Sequence, residues 1–173
     1  MEKKRAPVYL WTGDGWGKTT SAFGVALRAL GHGFKVVVVQ FMKGRTEDIG
    51  EYKIQEKLES LTVKQFGREG WVDLHHPSDE DKKLAQDGLE YAHQAALQKP
   101  FLLILDEINL AAQIGLFEEK EVIGLLEGIP PEVHLYLTGR NAPAYLIERA
   151  DFVNEIVMKK GPKKLEGEKG IDY

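Results

Sequence analysis

One nine-residue segment constrains this chain more than any other: Thr12-Gly13-Asp14-Gly15-Trp16-Gly17-Lys18-Thr19-Thr20. The apolar run Val8-Tyr9-Leu10-Trp11 precedes it, and a stretch of helical period, residues 18–30, follows it. Glycines in such a turn let backbone N–H groups curl around a phosphate without obstruction. The helix N-terminus adds the positive end of its dipole. Lys18 supplies a mobile positive charge, and Thr19 places a hydroxyl where a phosphate-bound Mg²⁺ (or Mn²⁺) takes a ligand. The general pattern G-x-x-x-x-G-K-[ST] is matched except at its first glycine. Thr12 stands in that place and Gly13 comes one position later, so the loop reads G-x-G-x-G-K-T.

A phosphate loop of this kind needs a strand before it and a helix after it, and the rest of the chain repeats that alternation. Short apolar runs occupy residues 8–11, 35–41, 61–66, 101–105, 133–137 and 152–158. Several are apolar at nearly every position and rich in Val and Ile, as strands covered on both faces are. Helical segments are expected at 18–30, 48–59, 78–98, 118–126 and 143–149. Ser78 reads as an N-cap followed by Asp79, Glu80 and Asp81 in the first turn. Strands alternating with helices imply right-handed βαβ units. The expectation is a single three-layer α/β domain over residues 1–173, with a mainly parallel central sheet of the P-loop NTPase type. Residues 159–173, with five Lys and three Gly, read as a tail that orders on binding.

Two further strand ends carry chemistry. Phe101-Leu102-Leu103-Ile104-Leu105-Asp106-Glu107 is an apolar strand ending in two acids. P-loop proteins place an acid here to hold Mg²⁺ directly or through water. Which of Asp106 and Glu107 serves the metal is left open by the sequence. The simpler reading, Asp106 as a helix cap, competes. Leu135-Tyr136-Leu137-Thr138-Gly139-Arg140-Asn141 ends a third strand, and Arg140 could reach a triphosphate from it. All three sites fall where open α/β sheets bind ligands.

Composition excludes several classes. The chain has no Cys, so it has no disulfide framework, no Cys-ligated zinc or iron–sulfur site and no Cys nucleophile. The net charge is −4, from 23 Lys plus Arg against 27 Asp plus Glu, without the basic excess usual in a duplex nucleic-acid binder. No apolar run approaches the roughly 20 residues of a membrane span, and the N-terminus lacks a signal-peptide core. A cytoplasmic protein without nucleic-acid or membrane partners is expected. His75 and His76, beside Pro77, read as loop histidines, and His32 as a partner of a helix C-terminus.

Together these residues resemble the P-loop family of corrinoid adenosyltransferases, over nearly the whole chain from Val8 to Tyr173. The family loop is similar to T-G-x-G-K-G-K-T-T and shares the displaced glycine. Further matches are Ala22-Phe23-Gly24, Arg28-Ala29-Leu30-Gly31-His32-Gly33, the V-x-x-V-Q-F-x-K-G run ending at Gly44, Leu105-Asp106-Glu107, the T-G-R-N-A-P turn starting at Thr138, and the ending Gly170-Ile171-Asp172-Tyr173. The chain departs from the pattern at Asp14 and Trp16, where relatives carry Asn and Lys. It departs again at Gly70-Trp71-Val72-Asp73-Leu74, where many relatives read G-F-T-W-E. Trp71 takes the first aromatic place and Asp73 the second. Relatives also often show V-K-H-P near Met158-Lys159-Lys160-Gly161-Pro162, and a longer basic arm before the first strand.

The resemblance implies transfer of the 5′-deoxyadenosyl group of ATP to the cobalt(I) of a corrinoid, with release of triphosphate. It implies that residues 13–19 wrap the phosphates, with Asp14, Trp16 and Thr20 in the same loop and Lys18 as main counter-charge. Thr19 with Asp106 or Glu107 would position Mg²⁺. Arg28 and Arg140 would be phosphate or ribose contacts. Trp71 would cover one corrin face as a lid. A homodimer and a flavoprotein reductant as electron donor belong to the same implication. Two other readings accommodate the loop: a small-molecule kinase or ATPase, and a non-catalytic nucleotide- or corrinoid-binding module. The displaced glycine and the Gly-Ile-Asp-Tyr ending weigh against the first, and the acid pair weighs against the second.

Overall fold

The computed structural model describes residues 5–45, 49–162 and 167–171. Six strands form one sheet: β1 (Val8–Thr12), β2 (Val36–Phe41), β3 (Leu61–Phe66), β4 (Leu102–Asp106), β5 (His134–Thr138) and β6 (Phe152–Glu155). Their order is β3-β2-β4-β5-β1-β6. Every neighbouring pair is parallel, so the sheet is wholly rather than mainly parallel. The helices are α1 (Lys18–Gly31), α2 (Gly50–Lys53), α3 (Asp79–Leu97), α4 (Ile108–Gln113), α5 (Glu119–Gly128) and α6 (Ala144–Arg149).

The Val-rich strands are apolar at successive positions because both faces are covered. Val37, Val39, Leu103, Leu105, Leu135 and Leu137 pack on one side with Ala85, Ala92 and Ala96 of α3 and Leu126 of α5. Val36, Val38, Leu102, Ile104 and Tyr136 pack on the other with Ala22, Ala26 and Ala29 of α1. This alternation follows from the two-residue period of a strand. It makes the three layers. Each fully buried Leu or Ile contributes about 1.5–3 kcal/mol. At Gly88 of α3 the helix meets the sheet so closely that a Cβ would lie 2.7 Å from the Phe41 ring.

Two expectations need correction. The amphipathic segment 48–59 is not one helix. It holds the four-residue α2 and a 3₁₀ turn, Ile54–Lys57. Gln55 explains the break: its Nε2 donates to Tyr52 O, and its Oε1 accepts from Val63 N, which ties the turn to β3. The apolar run 152–158 stops being a strand at Glu155. All four β6 residues are exposed, and Phe152 is held by stacking on Tyr9 at 4.8 Å. Beyond β6 the chain turns onto the glycine loop. Residues 163–166 and 172–173 of the expected tail lie outside the described residues.

Candidate functional site

The loop between β1 and α1 runs along the carboxyl end of the sheet. Gly13 and Gly17 take φ of 92° and 100°, which other residues adopt only with strain. A Cβ on Gly13 would sit 2.5 Å from Ile156 O, so the loop is packed backbone to backbone against the chain leaving β6. Gly15 N donates to Ile156 O at 2.8 Å. Lys18 is buried, and its Nζ donates to Gly13 O and Gly15 O, both at 2.6 Å. Burial lowers the Lys18 pKa, opposed by the charges of Glu107, Asp14 and Asp106. The lysine is folded back onto two carbonyls of its own loop. Asp14, Trp16 and Thr20 face solvent at the loop surface.

Asp106 closes β4 with no exposed side chain. Its Oδ1 accepts from Thr19 Oγ1 at 2.9 Å and Thr138 Oγ1 at 2.7 Å. Its Oδ2 accepts from Gln40 Nε2 at 3.0 Å and Lys43 Nζ at 2.8 Å. Burial works against the charged form. The Lys43 charge and the hydrogen bonds from Lys43, Thr138 and Thr19 outweigh it and hold the carboxyl below its ordinary range. Asp106 is therefore not the cap of the next helix. It joins β2, β4 and β5 to the first turn of α1. Behind it Gln65 Nε2 donates to Gln40 Oε1 at 2.9 Å, which extends the chain of hydrogen bonds to the edge strand β3.

Glu107 takes φ 63°, a left-handed conformation uncommon for a side-chain-bearing residue. Its N–H donates to Thr138 Oγ1 at 3.0 Å. Its Oε2 is buried without a hydrogen-bond partner. Burial and then the neighbouring Asp106 raise its pKa, against the charges of Lys43, Lys18 and Arg140. Backbone strain and an orphaned carboxylate oxygen at a strand's carboxyl end are features that cluster at binding sites. The donor set fits a phosphate-bound divalent cation. Glu107 offers a free oxygen, and Thr19 a hydroxyl. Asp106 is fully engaged and orients Thr19.

Arg140 is exposed but close enough for its charge to act on both Lys18 and Glu107. Arg28 is not brought to the loop. It lies in the last turn of α1, ten residues beyond Lys18, or roughly 15 Å along the helix. There it lines a separate cavity of about 560 Å³ with Tyr9, Trp11, Ser21, His134 and Tyr136. Trp71 is 93% exposed, in the loop that leaves the carboxyl end of β3. That loop is anchored: Arg68 Nη2 donates to Trp71 O at 3.1 Å, while Arg68 Nε donates to Asp81 at 2.8 Å. Asp81 is buried and also closes the capping box of α3 with Ser78. Asp73 Oδ1 accepts from His75 N and His76 N, so these histidines are turn residues here.

Sequence reasoning did not assign Gln40, Lys43, Thr138 or Asn109 to the site. Gln40 carried a signal, as the one polar residue of the apolar strand VVVVQF. Asn109 Nδ2 donates to Trp11 O and Gly139 O, which ties the ends of β1 and β5 together under the glycine loop.

Comparison with known proteins follows the same lines. The family model described as ATP:corrinoid adenosyltransferase BtuR/CobO/CobP matches residues 4–173. A corrinoid adenosyltransferase of Pseudomonas aeruginosa is 33% identical over 173 residues, covering 98% of this chain and 85% of its own. One from a Sinorhizobium species is 34% identical over 168 residues, 94% of this chain and 78% of its own. The corrinoid adenosyltransferase CobA of Salmonella typhimurium is 30% identical over 176 residues, 99% of this chain and 88% of its own.

Proposed function

The chain belongs to the ATP:corrinoid adenosyltransferase family, and we propose from this that it transfers the 5′-deoxyadenosyl group of ATP to the cobalt(I) of a corrinoid. The observation that carries the reading in this molecule is the junction of the glycine loop with the acid pair. Thr19 is bonded to Asp106, and Glu107 stands beside it with a free oxygen.

The chemistry asks little acid–base work of the protein. The cobalt(I) lone pair forms the bond to C5′. The C5′–O bond breaks, and its electron pair leaves with the triphosphate. Cobalt is formally oxidised by two electrons, and no proton moves. The protein must hold the triphosphate, aim C5′ and exclude water. Lys18 exchanges the Gly13 and Gly15 carbonyls for phosphate oxygens. Gly15 N exchanges Ile156 O for the same kind of acceptor. A divalent cation held by Thr19 and Glu107 would supply charge neutralisation on the leaving group. Arg140 approaches from the end of β5. Trp71 lies against one corrin face and helps remove the lower ligand of cobalt(II), which makes its reduction to cobalt(I) easier; a homodimer and a flavoprotein electron donor complete the reading. No described helix is long and apolar enough to cross a membrane. The cytoplasm supplies the ATP and reducing power this reaction needs.

The test is anaerobic. Protein, Mg-ATP and chemically reduced cob(I)alamin are mixed, and the visible spectrum is followed. Growth of a light-sensitive alkylcobalamin spectrum is expected. An unchanged cob(I)alamin spectrum, with this corrinoid and with an incomplete precursor, would refute the proposal.

A further inference from the structure

Asp106 is completely buried, and a buried carboxylate needs a compensating charge. That charge is Lys43, in the turn after β2. Its Nζ lies 2.8 Å from Asp106 Oδ2 and 3.7 Å from Glu51 Oε1 of α2. The turn is rigid. Met42 takes φ 58°, and Met42 N donates to Phe66 O at 2.9 Å. Gly67, where the chain leaves β3, packs so closely that a Cβ there would sit 2.5 Å from Lys43 N. Lys43 is therefore fixed at the acids rather than wandering over the surface. Asp106 already holds a monovalent cation, and the charge of that cation also acts on Glu107. A metal ion arriving alone would meet both the Lys43 and Lys18 ammoniums, and at such separations the repulsion is large. Nucleotide arriving with the metal brings the negative charge that offsets it.

We propose that Lys43 is a resident counter-ion that keeps divalent metal off the Asp106–Glu107 pair until a nucleoside triphosphate binds. This inference rests on the reading that Thr19 and Glu107 receive the nucleotide's metal. Its consequence is ordered loading: metal enters with ATP and not before it. Lys43 is a positioning residue, since it acts on the metal by its charge and touches neither substrate nor reacting atoms.

The test uses Mn²⁺ as the probe, titrated into the full chain by electron paramagnetic resonance, with and without ATP and without corrinoid. Wild type should bind Mn²⁺ weakly alone and at least about tenfold more tightly with ATP. Lys43→Gln keeps a donor to Asp106 and removes the charge. It should tighten nucleotide-free binding at least about tenfold and so shrink the effect of ATP. Lys43→Arg, which keeps the charge, should behave as wild type. Nucleotide-free affinity that is unchanged or weaker in a folded Lys43→Gln would overturn the inference. So would wild-type Mn²⁺ affinity equal with and without ATP, a result that needs no variant. Wild type that binds ATP but no Mn²⁺ in either condition would instead remove the metal reading, and this inference with it.

Discussion

Replacing Asp106 by Asn tests the physical core of the site, because the substitution changes one oxygen and one charge. In the wild type each oxygen accepts two hydrogen bonds, from Thr19 and Thr138 at Oδ1 and from Gln40 and Lys43 at Oδ2. An amide offers only one acceptor. Turned with its carbonyl toward Gln40 and Lys43, it sets its NH₂ against the two threonine hydroxyls, which must then accept instead of donate and lose Asp106 as their acceptor. Among the described residues Lys43 keeps an ion pair with Glu51, at 3.7 Å, and the more distant charge of Glu107. Removing one partner of a buried pair costs about 3–5 kcal/mol. Lys43 retains 26% exposure, so part of its charge is resolvated and the lower end applies, about 3 kcal/mol. For a chain of this size that lowers Tm by about 6–12 °C. The pH dependence gives the sign. The Asp106 pKa is depressed in the folded protein. Its stabilisation is therefore full above the unfolded value of about 4 and is lost as pH falls through the folded value. The gap between wild type and Asp106→Asn should be largest near neutrality and should narrow below about pH 4. Thermal unfolding by circular dichroism over that range measures it. A Tm within about 2 °C of wild type at pH 7, or a gap that does not narrow in acid, would refute the reasoning.

Three further outcomes follow from the same geometry. Lys18→Ala should abolish turnover, with the fold intact by circular dichroism; a wild-type rate would exclude the loop from phosphate binding. Gly13→Ala should cost about 2–3 kcal/mol and weaken ATP binding in calorimetry, because φ is 92° and the new Cβ would meet Ile156 O. Trp71→Ala, at a side chain 93% exposed, should change stability by less than about 0.5 kcal/mol. It should slow reactions started from cob(II)alamin more than those started from cob(I)alamin, and equal slowing would remove the lid role.

The parts of this molecule legible in its sequence are those set by local pattern. Continuous Val-rich runs announced strands buried on both faces, and β2 and β4 are such strands. The run from Thr12 to Thr20 announced a turn between strand and helix because its glycines and lysine serve only there. Ser78 announced the start of α3 because its cap is made by Asp81, three residues on. What stayed hidden depends on register between distant strands. Nothing local says that Gln40 lies opposite both Gln65 and Asp106, which sheet pairing alone brings about. Lys43 reaches Asp106 because β2 and β4 are neighbours although 63 residues separate them. Arg28 stands apart from the loop for the converse reason. It is near the loop in sequence, but a rigid helix carries it away. The end of β6 was overextended because Val157 and Met158, although apolar, are exposed beyond the turn at Ile156.

The central claim is that ATP is cleaved at C5′ rather than at a phosphoanhydride. The most direct measurement is phosphorus NMR of a single anaerobic turnover, with enzyme and Mg-ATP in excess over cob(I)alamin. The account predicts intact inorganic triphosphate, one for each alkylcobalamin formed, and no ADP. ADP with orthophosphate, or alkylcobalamin without matching triphosphate, would contradict it.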